Sequence, residues 1–496
     1  MIYRRQNGAS KSLAIILAAI LAGVAVAGYE LFEVATTTTS ITTTLTSQST
    51  SYSGTLTTIT TASGATISSP IQHVIIIMQE NRAFDNFFWT WPGQIGYNAS
   101  LCMPLNPSKP EAGCMKPQYT TDPVSRTDLP HTWTSSWKAY NKGSMNGFLS
   151  AAGDNAEVMS YYNSSVVSDI WSLAAHYVLA DQWFTSAKSY SQPNHWYLIA
   201  AQAPNVSLFE DSTTERSQCV NFFNQLVMAT CAYINEAQPI QTMADELSNY
   251  GLTWKYYDAP LPKGYTLAEG ITGSCSSCNP WDYWSPLRAQ NRTWTNPVHF
   301  NSMVARGEFF SDLQNDTLPD VSWIIPSAAI SDHPPANVTL GEWWITDLVD
   351  AVMNSQYWKN SLIVILWDDY GGYFDTVVPP TVDAAGLSFR CPAIIVSPYA
   401  KTGYLDSTVY SFESTLKFIE WNWNLPALSS RDANANNLLN ALNFNQLPLS
   451  PSLVPLTAQQ QQTIAPYIAQ GSTPNPNPNG NQSLTDSLAF INNDPD

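Results

Sequence analysis

The chain has 496 residues, of which 21 are Lys or Arg and 39 are Asp or Glu, giving a formal net charge of −18. So few cations argue against a nucleic-acid partner, because no basic face is left to displace counterions from phosphates. A hydrophobic fraction of 44%, with 18 Trp and 24 Tyr, excludes a disordered chain and suffices for a large core.

After Arg4, Arg5 and Lys11, residues 12–29 carry no charge and are rich in Leu, Ile, Ala and Val. This segment is expected to be a signal peptide or a membrane anchor within residues 1–30. Its length is at the lower limit for a bilayer span, and Ala25-Val26-Ala27 offers a small-residue cleavage site. With the positive flank cytoplasmic, the remainder is delivered outside, so a secreted or surface-anchored protein is expected. Residues 31–69 are dominated by Ser and Thr, cannot build a core, and read as a stalk or flexible linker. Asn-x-Ser/Thr sequons at Asn98, Asn163, Asn205, Asn291, Asn315, Asn337 and Asn481 suit a glycosylated surface. Cys102 with Cys114, Cys219 with Cys231, and Cys275 with Cys278 are spaced to close small disulfide rings. The last pair is alternatively half of a zinc site, which would need two further ligands. Cys391 precedes an apolar run and is expected to be a buried free thiol.

The folded part is expected between residues 70 and 445. Apolar runs at 73–78 (HVIIIM), 321–325 (VSWII), 362–367 (LIVILW) and 393–397 (AIIVS) read as buried parallel strands. Helical periodicity marks 168–180, 342–354 and 411–423, the last two opened by Gly or Ser. Strands that are apolar throughout need cover on both faces. An α/β fold follows, a doubly wound and mostly parallel sheet with helices on each side. Residues 446–496, rich in Gln and then in alternating Asn and Pro, read as a polar, largely disordered tail.

In such sheets ligands sit beyond the carboxyl ends of the strands. The first run ends in Gln79-Glu80-Asn81-Arg82 and the third in Asp368-Asp369-Tyr370-Gly371-Gly372. If these strands are neighbours, Glu80, Asn81, Asp368 and Asp369 converge. Carboxylates held together repel unless protons or a cation neutralise them, and this oxygen set suits Mg, Ca or Mn, with Zn or Fe also possible. The bland alternative is a helix cap and a solvated turn. A hydroxyl-rich loop around Ser191 precedes an apolar helix, where Ser191 is either chemical or merely a cap. His131 and His333 fall in polar, Pro-marked loops.

The segment IQHVIIIMQENRAFDNFF resembles the opening motif of the phosphoesterase family that contains phospholipases C and an acid phosphatase, within the alkaline phosphatase-like superfamily. The resemblance continues in order through HTW with NKGSMNGF, SYSQPNHWYL, SDHPP, WDDYGGYFDTVVPP and FRCPAIIVSPYAKTGYLD, covering nearly all of residues 70–445. It implies a divalent metal ion held by Glu80, Asn81, Asp368 and Asp369, and by Ser191, the nucleophile. It further implies that His131 and His333 contact the phosphoryl group, with Asn194 and His195 beside them. Three departures stand out: His195 follows Pro193-Asn194 where the family usually has Arg, Thr376 follows Asp375 where it often has His, and one family histidine has no counterpart except His299. His195 is a candidate replacement for the missing cation.

A phosphate ester resists attack because its oxygens are anionic, so residues that gather positive charge and align attack with departure fit this chemistry. The expected function is an exported metal-dependent phosphoesterase, with an acid phosphatase on monoesters favoured over a phospholipase C by the acidic balance. The substrate is then a phosphate ester or a phospholipid. A cell-surface binding protein on an inactive scaffold is the reading of another class, and the intact acid clusters argue against it.

Overall fold

The structure, a computed structural model, describes residues 59–60, 66–203, 240–266, 284–383 and 386–468. The segment 12–29, most of the Ser/Thr-rich stretch, Cys219, Cys231, Cys275, Cys278 and residues 469–496 lie outside the described residues. Among the described residues no helix is long and apolar enough to cross a membrane.

One sheet organises the described chain. Its strands are β1 (His73–Gln79), β2 (Val178–Ala180), β3 (Trp254–Asp258), β4 (Met303–Ala305), β5 (Val321–Ile324), β6 (Ser361–Trp367), β7 (Ala393–Val396) and β8 (Tyr404–Asp406). They lie in the order β4-β3-β5-β1-β6-β7-β2-β8. All neighbours pair in parallel except β7, which is antiparallel to both β6 and β2. The run at 393–397 is thus a buried strand as its composition requires, but reversed. An all-apolar strand carries no mark of direction, so the parallel expectation is corrected here.

Alternate side chains of a strand point to opposite faces. Every residue of β6, and all of β1 but His73, is buried, so both faces of the sheet are covered. Helix α1 (Trp133–Tyr140) belongs to a second apolar cluster, and the helices packed around the sheet include α2 (Ser168–His176), α3 (Ser191–Ala200), α4 (Val338–Met353), α5 (Phe412–Trp423) and α6 (Ala458–Ile468). Helices α2 and α6 pack against α4, while α3 packs against α5. Burying an aliphatic side chain such as Ile75, Ile76, Leu362 or Ile363 contributes about 1.5–3 kcal/mol, which makes β1 and β6 the rigid centre.

Three boundaries move. The helix expected over 168–180 stops at His176, and Val178–Ala180 becomes β2, because those residues pair with β7 and β8. Helix α4 begins a turn before Gly341, capped by Asn337, whose side chain accepts from the Thr339 N–H. Beyond Asn445 the chain continues to pack: the Leu449 carbonyl accepts from Trp358 Nε1 at 2.9 Å, Ile464 is buried, and Arg306 Nη1 reaches the Ile468 carbonyl at 3.0 Å. The tail expected from 446 is therefore folded as far as Ile468. Cys102 and Cys114 form a disulfide, and Cys391 is buried and free. The sequon residues Asn98, Asn163, Asn291, Asn315 and Asn337 are all at least partly exposed.

Candidate active site

Strands β1 and β6 pair in parallel with Gln79 opposite Trp367, so the residues that follow each strand emerge side by side. Asn81 adopts a left-handed backbone, φ 54°, and its N–H donates to Asp368 Oδ1 at 2.8 Å. Asp369 Oδ1 accepts from the Gly371 N–H at 2.7 Å. Gly371 sits at φ +58°, and a Cβ there would lie 2.3 Å from the Asn81 carbonyl oxygen, so glycine is required for the two loops to meet. Glu80, Asn81, Asp368 and Asp369 are fully buried. The expected convergence is present, and the helix cap and solvated turn are not.

Ser191 is the first residue of α3 rather than its cap, a place taken by Tyr190 without a side-chain hydrogen bond. Its Oγ faces the acid cluster, 3.4 Å from Asn81 Oδ1 and 3.5 Å from Asp369 Oδ2. The unpaired N–H groups and dipole of the α3 start favour an anion at the same spot.

His131 enters from the opposite wall. Its Nδ1 lies 2.6 Å from the Leu129 carbonyl, which fixes the proton on that nitrogen, and Nε2 accepts from Asn81 Nδ2 at 3.3 Å. Nε2 is also 4.0 Å from Asp369 Oδ2. Leu129 belongs to a second apolar cluster with Ala139, Phe148, Tyr370 and Phe389, which seats the His131 loop against the 370–374 turn.

His333 follows β5, the other neighbour of β1. Its segment is tied to the cluster, because the Glu80 N–H donates to the Ser331 carbonyl at 2.8 Å. Its Nδ1 is 2.7 Å from the Pro334 carbonyl, and its ring centroid is 5.8 Å from that of Trp284.

Two residues differ from expectation. Asn194 does not face a ligand: its amide oxygen accepts from the Ala187 N–H and its nitrogen donates to the carbonyls of Ala187, Ser189 and Tyr190. A side chain so engaged with local backbone holds the loop that delivers Ser191. His195 is fully buried with Nε2 2.8 Å from Glu80 Oε1 and 4.0 Å from Asp368 Oδ2, so it sits among the acids rather than beside a bound phosphoryl group. Its signal was legible, since residues four apart share a helix face and Ser191 and His195 are so spaced. His299 packs instead on Trp254, at the amino end of β3 and so at the edge opposite the site, with Nε2 3.5 Å from Asp245. Arg82 had no assigned role; its Nη2 binds the Asp332 carbonyl at 2.5 Å and Nη1 binds the Tyr373 hydroxyl, bracing the SDHPP segment against the β6 turn.

The electrostatics show what the cluster lacks. Burial first, then Asp368, pushes Glu80 well above the usual carboxylate range. Burial and Asp368 likewise push Asp369 well up, against the lowering pull of His131. Burial drives His195 down to about 4. Glu80 Oε2 and Asp368 Oδ2 are buried without a hydrogen-bond partner. Glu80, His195 and Asp368 each offer one donor atom, and the three atoms lie within 4.8 Å of one another. Orphaned carboxylate oxygens among like charges are what a divalent cation satisfies, so the residues fit a metal ion.

Fold and site combine a mostly parallel α/β sheet with a buried acid cluster beside a helix-borne serine. The chain belongs to the Phosphoesterase family, which it matches over residues 71–426. It is 25% identical over 457 residues to a non-hemolytic phospholipase C of Pseudomonas aeruginosa, covering 82% of this chain and 62% of that protein. It is 25% identical over 439 residues to phospholipase C B of Mycobacterium tuberculosis, covering 77% and 79%. The chain thus spans less than two thirds of the first relative's length. Among solved structures it is similar to a phosphonate monoester hydrolase of Agrobacterium radiobacter, at 11% identity and a TM-score of 0.37 over 75% of this chain and 77% of the other.

Proposed function

We propose that the chain is a metal-dependent phosphoesterase of the phospholipase C type, acting at the phosphate ester of a phospholipid headgroup with Ser191 as nucleophile. The observation that carries this reading is the in-register pairing of β1 with β6, which sets Glu80, Asn81, Asp368 and Asp369 against Ser191. The phospholipases C among the relatives favour the diester over the monoester substrate that the acidic composition favoured.

A divalent cation held by Glu80, Asn81, Asp368 and Asp369 supplies positive charge for the phosphoryl oxygens and acidifies the serine hydroxyl. Ser191 Oγ forms a bond to phosphorus as the ester P–O bond breaks, giving a phosphoseryl intermediate and the free alcohol. Asp369 Oδ2, 3.5 Å from Ser191 Oγ, takes the departing hydroxyl proton. His131, its Nδ1–H held by the Leu129 carbonyl, takes up a proton at Nε2 beside the anionic substrate, and with His333 it binds the equatorial oxygens and protonates the leaving alcohol. Water then cleaves the Ser191–phosphorus bond and restores the hydroxyl.

The test compares diacylglycerol release from phosphatidylcholine with inorganic phosphate release from a small aryl phosphate, in wild type and Ser191→Ala. Diester cleavage that Ser191→Ala abolishes supports the reading. Release of inorganic phosphate alone returns the acid phosphatase, and a fully active Ser191→Ala removes the nucleophile.

A further inference from the structure

We propose that His195 is a metal ligand through Nε2, and that its nitrogen tunes the site toward a borderline transition ion such as Zn2+ or Fe2+ rather than Mg2+ or Ca2+. The inference rests on the metal-dependent reading above and adds to it the class of ion.

The argument is an accounting of partners. Four buried atoms meet here: His195 Nε2, Glu80 Oε1, Glu80 Oε2 and Asp368 Oδ2. Nε2 lies 2.8 Å from Glu80 Oε1 and 4.0 Å from Asp368 Oδ2. A proton on Nε2 satisfies only one contact, with Glu80 Oε1, and leaves Glu80 Oε2 and Asp368 Oδ2 orphaned with no solvent to turn to. A doubly protonated ring leaves the same two oxygens orphaned. A proton on Nδ1 alone sets the Nε2 lone pair against a carboxylate lone pair; a proton on Glu80 relieves that one contact, whereas a metal ion relieves it and engages Asp368 as well. That cation satisfies Nε2 and both carboxylates together.

The far side of the ring agrees with this. Nδ1 has no formed hydrogen bond, and the backbone carbonyl that the ring faces is that of Trp284. A metal-bound histidine characteristically turns its second N–H to a carbonyl, which fixes the tautomer that leaves the other nitrogen free to ligate. Helix α3 supplies the rigid base: Ser191 and His195 stand one turn apart, so the helix that presents the serine also presents the nitrogen. A neutral imidazole in an otherwise all-oxygen set favours Zn2+ and Fe2+, since Mg2+ and Ca2+ take hard oxygen donors.

The experiment strips the purified full chain with a chelator and titrates Zn2+ and Ca2+ separately by calorimetry, in wild type and in His195→Gln, with circular dichroism to verify folding. The expected result is tighter Zn2+ than Ca2+ binding in wild type, and a loss of at least about tenfold in Zn2+ affinity in His195→Gln with little change for Ca2+. An unchanged Zn2+ to Ca2+ ratio in a folded His195→Gln overturns the ligand assignment while leaving the phosphoesterase reading standing. A wild type that binds neither ion overturns both. Should the variant not fold, X-ray absorption of the Zn2+-loaded wild type decides: imidazole scattering supports the assignment, and an all-oxygen shell overturns it.

Discussion

Two buried charge clusters lie a few residues apart on the same two stretches of chain, and they are built in opposite ways. The first takes Glu80 from the end of β1 and Asp368 and Asp369 from the end of β6. The second takes Asp85 and Asp375 from slightly further along, and places Arg390 between them. Arg390 Nε and Nη2 bind Asp375 Oδ1 at 2.9 and 2.7 Å, Nη2 also binds Asp85 Oδ1 at 3.0 Å, and Nη1 reaches the carbonyls of Ile95 and Asp181. Thr376, at the position where the resemblance often places a histidine, caps Asp85 Oδ2 through its N–H and hydroxyl. Asp85, Asp375 and Arg390 are as buried as Glu80, Asp368 and Asp369.

The second cluster carries its own cation and uses it fully. With two acids to one arginine it keeps one negative charge in excess, and burial pushes Asp85 up to about 7. The first cluster has three acids, no Lys or Arg among its contacts in the described residues, and orphaned oxygens. Burial alone therefore does not mark a functional site. What marks it is charge that the chain leaves unbalanced at a place where a strand ends.

Substitutions should separate the clusters. Ser191→Ala is expected to lower phosphate-ester turnover by at least about 10³-fold with an unchanged circular dichroism spectrum. Retained turnover would erase the functional half of the comparison. Arg390→Met strands two buried acids and should cost about 3–5 kcal/mol of stability, read as a lower denaturation midpoint, because breaking a buried pair is far more harmful than never having it. A variant as stable as wild type would show that the second cluster is not structural.

Asp368→Asn should do the reverse. It relieves like-charge repulsion, so the chelated protein should melt about 2–4 °C higher while activity falls at least about 100-fold. A lower melting temperature would count against the repulsion argument. Acid has a matching effect on the chelated protein. Glu80 and Asp369 lie well above ordinary carboxylates, and burial raises Asp332 to about 7. Groups raised in the folded state contribute stability that is full below about pH 4 and is lost as pH climbs through the folded values. The chelated chain should thus melt progressively lower from pH 4.5 to pH 8, and added metal should flatten the trend. A flat profile in the chelated protein would contradict it. At the small end, Arg126→Ala removes an exposed ion pair with Asp122 and should shift the melting temperature by no more than about 1 °C.

Much of the centre was legible because its signals are strong. The runs of β1 and β6 are long, wholly apolar and closed by acids, so both their burial and their meeting could be inferred. Ser191, His131 and the acids follow from motifs in order along the chain. The direction of β7 was not legible, since nothing in Ala-Ile-Ile-Val distinguishes one polarity from the other. Strands as short as β2, β4 and β8 were lost among loops and helix ends, and Trp254–Asp258 mixes Lys and Asp with its aromatics. The misplacement of Asn194 and His195 has one cause: proximity in sequence to Ser191 was read as proximity to a ligand, whereas the helix turns one residue back onto its loop and the other down into the acids.

The left-handed turn at Asn81 joins groups 287 residues apart, through its N–H bond to Asp368. Contacts of such long sequence separation form late, because the chain must close a large loop before they reward it. Recovery of activity after denaturation should therefore trail recovery of helical signal. A metal ion held at that junction would act on the whole sheet: it would bind only when the two middle strands are paired, so by mass action its affinity would become resistance of the sheet to unfolding.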